Sequence, residues 1–107
     1  MLNDYGVRLD RNGYAPSILQ DDLSCCFMCS HSDMKLDRHE VFHGSNRQKS
    51  KALGLWVTLC HDACHLYGVH KYAVLDKRLK KEAQRKAMEH YGWTTEEFIK
   101  IIGRNYI

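Results

Sequence analysis

At 107 residues and 12.5 kDa the chain has room for one domain, near the lower end of what a hydrophobic core sustains alone, so a metal staple is expected. Its net charge of +3 divides into −3 over residues 1–34 and +6 over residues 35–107, a basic bias compatible with a phosphate-backbone partner. The longest apolar stretches, such as residues 53–60, are too short to cross a bilayer, and the opening residues carry Asp4, Arg8, Asp10 and Arg11 with no apolar run of signal-peptide length. A cytoplasmic location without a membrane partner is therefore expected. Thiols stay reduced there, so five clustered cysteines read as metal ligands before they read as disulfides.

Residues 1–22 show no sustained period, and the turn pairs Asn12-Gly13 and Pro16-Ser17 mark an irregular arm ahead of a domain spanning 23–107. Residues 25–34 look like a turn gripping a metal. Residues 36–42 alternate, with Leu36, Arg38 and Glu40 on one side and Asp37, His39 and Val41 on the other, which predicts a hairpin strand ending at His43-Gly44. The polar stretch 47–51 predicts a loop or one helical turn, and Leu55-Trp56-Val57-Thr58-Leu59 a second strand running into Cys60. From His61 a short helix carries Cys64 and His65, with Gly68 interrupting it before His70. Residues 72–91 form an amphipathic helix with Val74 or Leu75, Leu79, Ala83, Ala87 and Tyr91 on its apolar stripe, closed by Gly92. Thr94 with Glu97 makes a capping box for a last helix that turns Phe98, Ile101 and Ile102 inward before Gly103.

Cys26-x-x-Cys29 has knuckle spacing, and Cys60 with Cys64 forms a second pair about thirty residues on. Four thiolates close a tetrahedral zinc site that leaves no open position, so this zinc organises the fold and performs no chemistry. The fourth ligand is open between Cys64, His61 and Cys25. Zinc at the two pairs draws together the segments next to them: His39 and Glu40 from the first strand, His65 and His70 from the short helix. Imidazoles with a carboxylate hold a divalent ion, and a histidine titrating near neutrality accepts a proton from water, which is the chemistry phosphodiester hydrolysis requires.

The order Cys26-x-x-Cys29, Leu36-Asp37-Arg38-His39-Glu40-Val41-Phe42, Asn46-Arg47, Ser50, Gly54-Leu55-Trp56-Val57, Leu59-Cys60, Cys64-His65 and Val69-His70 resembles the small phage-type HNH endonucleases. The resemblance runs from about residue 24 to the end, through Ala83-Gln84 and the closing Glu97-Phe98-Ile99 and Gly103-Arg104-Asn105-Tyr106. It implies a small α+β domain with a ββα-metal (HNH, His-Me finger) core, a structural zinc and C-terminal helices. It further implies DNA cutting or nicking with one Mg or Mn ion, His39 as the strand-end histidine and His65 and His70 as the metal-binding histidines; Glu40, beside His39, joins them in the expected catalytic and metal-binding set.

Three departures bear on these expectations. Many relatives carry two adjacent histidines, ligand then base, where this chain has His39-Glu40; His39 as base with Glu40 or Asp37 on the ion, or His39 as ligand, are both open, and the first is favoured. The middle asparagine is missing before the second Cys pair, where Gly54 or Leu55 stands, with Asn46 the nearest substitute. The second pair is C-x3-C. Arg38 and Arg47 are the expected phosphate contacts, His43 is the reserve base, and nothing resembles a base-reading helix, so a specificity subunit or homodimer would have to add sequence preference. The alternatives are a zinc-stapled DNA-binding or adaptor module that does not cut, and a structural zinc protein offering Trp56, Phe42 and Tyr72 to protein partners.

Overall fold

In the computed structural model, which describes residues 1–107, the alternating segment forms β1 (Leu36–Glu40) and the Val/Thr/Leu-rich segment forms β2 (Trp56–Cys60). They pair antiparallel, Leu36 opposite Cys60 and Glu40 opposite Trp56. The period of two sends Asp37 and His39 to one face of β1 and Arg38 and Glu40 to the other. The strand stops short of the expected Phe42, because Ser50 Oγ takes over both backbone groups of that residue, accepting from its N–H at 3.0 Å and donating to its carbonyl at 2.7 Å. Val41 keeps the last bond of the ladder, its N–H donating to the Leu55 carbonyl at 3.0 Å, and Phe42 leaves it; both side chains are fully buried.

Between the strands a 3₁₀ turn (Gly44–Asn46) leads into α1 (Arg47–Ala52), so the polar stretch is a short helix and not a loop. Gly54 comes next with φ +73°, and a Cβ there would collide with the carbonyl oxygen of Pro16; the position needs glycine for its left-handed backbone and for the close passage of the arm.

That arm, residues 1–22, is irregular but packed. Ala15 and Leu19 are buried, and the Trp56 indole donates to the Ala15 carbonyl at 2.8 Å. The Gln20 side-chain carbonyl accepts from the Thr58 N–H at 2.8 Å, while the Phe27 N–H donates to the Thr58 carbonyl at 2.8 Å. Together they occupy the outer edge of β2, which would otherwise be an open template for another strand. Trp56 and Phe42, which the sequence offered as partner-facing residues, are 3% and 1% exposed. Both are core residues, and of that trio only Tyr72 faces solvent, since the arm covers Trp56, while Phe98 packs edge-on and Tyr106 tilted against Phe42.

After β2 comes a π-helical segment (His61–Val69), then α2 (Ala73–Tyr91) and α3 (Thr95–Ile102). On α2 the stripe begins with half-buried Leu75; Val74 is exposed. Gly92 ends α2 in the left-handed conformation, and the Thr94–Glu97 capping box opens α3, with both reciprocal bonds at 3.1 Å. Leu79, Ala83 and Ala87 of α2 meet Phe98 and Ile102 of α3 and Val57 and Leu59 of β2 in one core. Buried Gln84 ties the C-terminal segment to α2 by donating to Asn105 Oδ1 at 2.8 Å and accepting from the Tyr106 N–H at 2.7 Å. No helix is long and apolar enough to cross a membrane. The result is a small α+β topology in which a β-hairpin and the helix after it share a cysteine cluster, consistent with a ββα-metal arrangement.

Candidate metal centres

The first cluster joins the turn before β1 to the end of β2. Cys26 N–H reaches back to the His31 carbonyl at 2.8 Å and Ser30 N–H to the Cys26 carbonyl at 2.9 Å, closing a knuckle that leaves Ser30 at φ +65°, a conformation costing about 1 kcal/mol outside glycine. Backbone N–H groups of Cys29 and Cys64 point at the sulfurs of Cys26 and Cys60, at 3.5 and 3.3 Å. The sulfurs of Cys26, Cys29, Cys60 and Cys64 all lie within 4.8 Å of one another, Cys29 and Cys60 at 3.9 Å. A tetrahedron with bonds of about 2.3 Å has edges of about 3.8 Å, so the set suits zinc, and the separation is far beyond a disulfide of about 2.05 Å.

Burial pushes the Cys26 thiol up, but N–H donors from Cys29, Cys60 and Met28 outweigh it and bring the group to about 6. Cys64 is driven the other way, by burial first and then by the sulfurs of Cys60 and Cys26. Four sulfurs this close repel a full set of negative charges until a cation joins them. Of the alternative fourth ligands, Cys25 faces the Asp22 carbonyl at 3.7 Å and His61 faces Asp37 at 2.6 Å; neither joins the cluster.

The second cluster consists of His39, His65 and His70, whose ligating atoms also lie within 4.8 Å of one another. His39 hangs from the buried face of β1, 2% exposed, and its Nε2 is a buried nitrogen with no hydrogen-bond partner. Such an atom costs stability unless something binds it. His65, from the π-helical segment, and His70, the residue that caps its end, meet Nε2 to Nε2 at 2.9 Å. Five residues apart, they would diverge on an α-helix; here His70 N–H bonds the His65 carbonyl at 3.2 Å, the i to i+5 closure of a π turn, and brings the rings together on one side, tilted at 52°. Gly68 permits this turn, since a Cβ there would come to 3.0 Å from the Ala63 carbonyl oxygen.

Asp37, two residues before His39 on the same face, accepts from His65 Nδ1 at 2.9 Å and His61 Nδ1 at 2.6 Å through one oxygen. Burial pushes the Asp37 carboxyl up, and the two histidines more than reverse it, so it stays a carboxylate. With Nδ1–H committed to Asp37, the His65 Nε2 lone pair is directed into the cluster. Burial, and then the neighbouring His65, His70 and His43, hold His39 down at about 3; burial and then His65 and His43 also lower His70. Neutral imidazoles are the form a metal needs. Alternation on β1 carried a signal for Asp37 beside His39; nothing in the chain pattern pointed to Asp76, whose Oδ1 stands 3.5 Å from His43 Nε2 and comes from the first turn of α2.

The structure does not bring Glu40 to this cluster. On the opposite face of β1, it accepts from Arg47 Nε at 2.7 Å and from the Tyr14 hydroxyl at 2.9 Å, because adjacent strand residues point oppositely. Burial together with that pairing pushes Tyr14 up to about 12. Arg38 lies on that face as well, 4.4 Å from the Tyr14 ring centroid, 5.0 Å from that of Trp56 and 3.2 Å from Asp10. Asn46 donates to the Ile102 carbonyl at 2.9 Å, tethering the hairpin exit to α3. No family model, curated protein or solved structure matches this chain significantly.

Proposed function

We propose that this chain is a metal-dependent endonuclease of the HNH type, hydrolysing phosphodiester bonds of DNA with little sequence preference of its own. The observation that carries the reading is the buried, unpartnered His39 Nε2 converging with His65 and His70 beside a four-cysteine cluster suited to structural zinc. In this reading residues 23–107 form the nuclease domain and residues 1–22 an arm that braces it. A divalent ion bound by the three imidazoles supplies the positive charge that offsets the charge growing on the phosphate and the leaving oxygen. The resemblance implied Mg or Mn; a set of three imidazoles without a carboxylate favours a zinc- or nickel-like ion over either.

Burial makes His39 a better ligand than base. The base role falls to His43, which is 43% exposed in its side chain, with its ring 6.0 Å from those of His39 and His70. With Nε2 turned to Asp76, His43 Nδ1 is left to take the proton of the attacking water. Asp37 acts through His65 as a positioning residue. Asp37→Asn is expected to weaken binding of the second ion about 10- to 100-fold while the zinc at the cysteines stays in place, as read by calorimetric titration of zinc-loaded protein.

The reading is tested with supercoiled plasmid, zinc-loaded protein and a series of added Zn, Ni, Mn and Mg. Nicked or linear product that depends on the added ion is expected, strongest with the softer ions. An intact plasmid under every ion, with the fold shown by circular dichroism, would select the non-cutting DNA-binding or adaptor module. The observation favouring that second reading is Glu40, which stands where relatives carry a base and points away from the cluster.

A further inference from the structure

Exposed cations on a long helix ordinarily stand on its convex face, spread in water. Four cations of α2 and the C-terminal segment depart from that pattern: Lys77, Lys80 and Lys81 line one wall of a cleft of about 330 Å³, and Arg104 lines the other with Tyr106. The walls come from segments far apart in the chain and are held together by buried Gln84. The one acid in the cleft, Asp76, is engaged by Lys80 at 2.8 Å and by His43 at 3.5 Å. Lys77, Lys81 and Arg104 are exposed and make no ion pair. Concave, with three of its four cations unpaired, such a surface repels itself until an anion enters.

Its place is as informative as its charge. Asp76 belongs both to the cleft and to the His43 contact, so the cations begin where the histidine cluster ends. Arg38, expected to touch phosphate, lies instead on the face of β1 opposite His39. The cleft is also poor in groups that read bases. The Tyr106 ring is half-buried and packed on Phe42 at 5.4 Å, and the Asn105 side chain is taken by Gln84 and the terminal residues. Point charges without a stacking platform suit phosphates whose bases stay paired.

We propose that this cleft binds the phosphate backbone of duplex DNA flanking the bond held at the histidines, with Lys77, Lys81 and Arg104 as the contacts. The inference rests on the nuclease reading for its choice of partner. It is tested by fluorescence anisotropy of a short duplex DNA across a salt series, with zinc-loaded full-length protein and no second ion, so that binding is read without cutting. Replacing Lys77, Lys81 and Arg104 together by Ala is expected to weaken binding equally across duplex sequences. It should also flatten the dependence of log K on log salt by about 1 per cation, about 3 in all. Replacing Arg78 and Arg85, on α2 outside the cleft, should leave most of the slope. An unchanged slope in the triple variant, an equal loss in the Arg78/Arg85 variant, or tighter binding to duplex RNA than to DNA would overturn the proposal. Its fate separates from that of the nuclease reading. Loss of binding in the triple variant of a protein that never cuts keeps the cleft and removes the nuclease; cutting with an unaltered slope does the reverse.

Discussion

Cys60→Ala is expected to abolish stable folding. Cys60 ends β2, is 3% exposed, and sets its sulfur 3.9 Å from that of Cys29, so its loss opens the four-sulfur cluster that joins the knuckle to the hairpin-to-helix junction. Structural zinc contributes on the order of 10 kcal/mol to domains of this kind, as much as the whole stability of a small domain, about 5–15 kcal/mol. The purified variant should carry less than one zinc and show no cooperative thermal transition by circular dichroism. Cys25→Ala should keep both, because that sulfur faces the Asp22 carbonyl outside the cluster. A Cys60→Ala protein that melts cooperatively with its zinc retained would show that the fold stands without the staple.

The second large effect separates ligand from base. His43→Ala alters an exposed ring, and is expected to keep two metal equivalents per chain while cleavage slows about 10²- to 10⁴-fold, the usual contribution of a general base. His39→Ala should instead drop the second equivalent and cleavage together, leaving the zinc at the cysteines. Metal content by elemental analysis alongside plasmid cleavage distinguishes them. If His43→Ala cuts at full rate and His39→Ala keeps both metals but does not cut, the roles are exchanged and His39 is the base.

Several elements could be read from the chain because their causes are local. The capping box Thr94–Glu97, the Gly92 stop and the apolar stripe Leu79, Ala83, Ala87 need only near neighbours, and each stands in the structure. The knuckle spacing of Cys26 and Cys29 and the second pair at Cys60 and Cys64 likewise announced the sulfur cluster. The misread parts depend on distant partners or on an uncommon local turn. The end of β1 was set by Ser50, the burial of Trp56 by the arm, and the shape of 61–69 by a π turn that helical periodicity does not anticipate.

The chain by itself therefore set out the candidates: two cysteine pairs with the fourth ligand open, His39, Glu40, His65 and His70, and an alternating strand that put Asp37 with His39 and Glu40 on the other side. Only the tertiary structure decided which donors share an atom-scale site. His65 and His70 meet because a backbone bond from His70 to His65 closes a π turn between them, and His43 meets Asp76 from the first turn of α2; Glu40 is lost to Arg47 and Tyr14 on the far face. Spacing along a chain states which groups are available, but side-chain direction and long-range packing determine which of them an ion or a phosphate can reach at once.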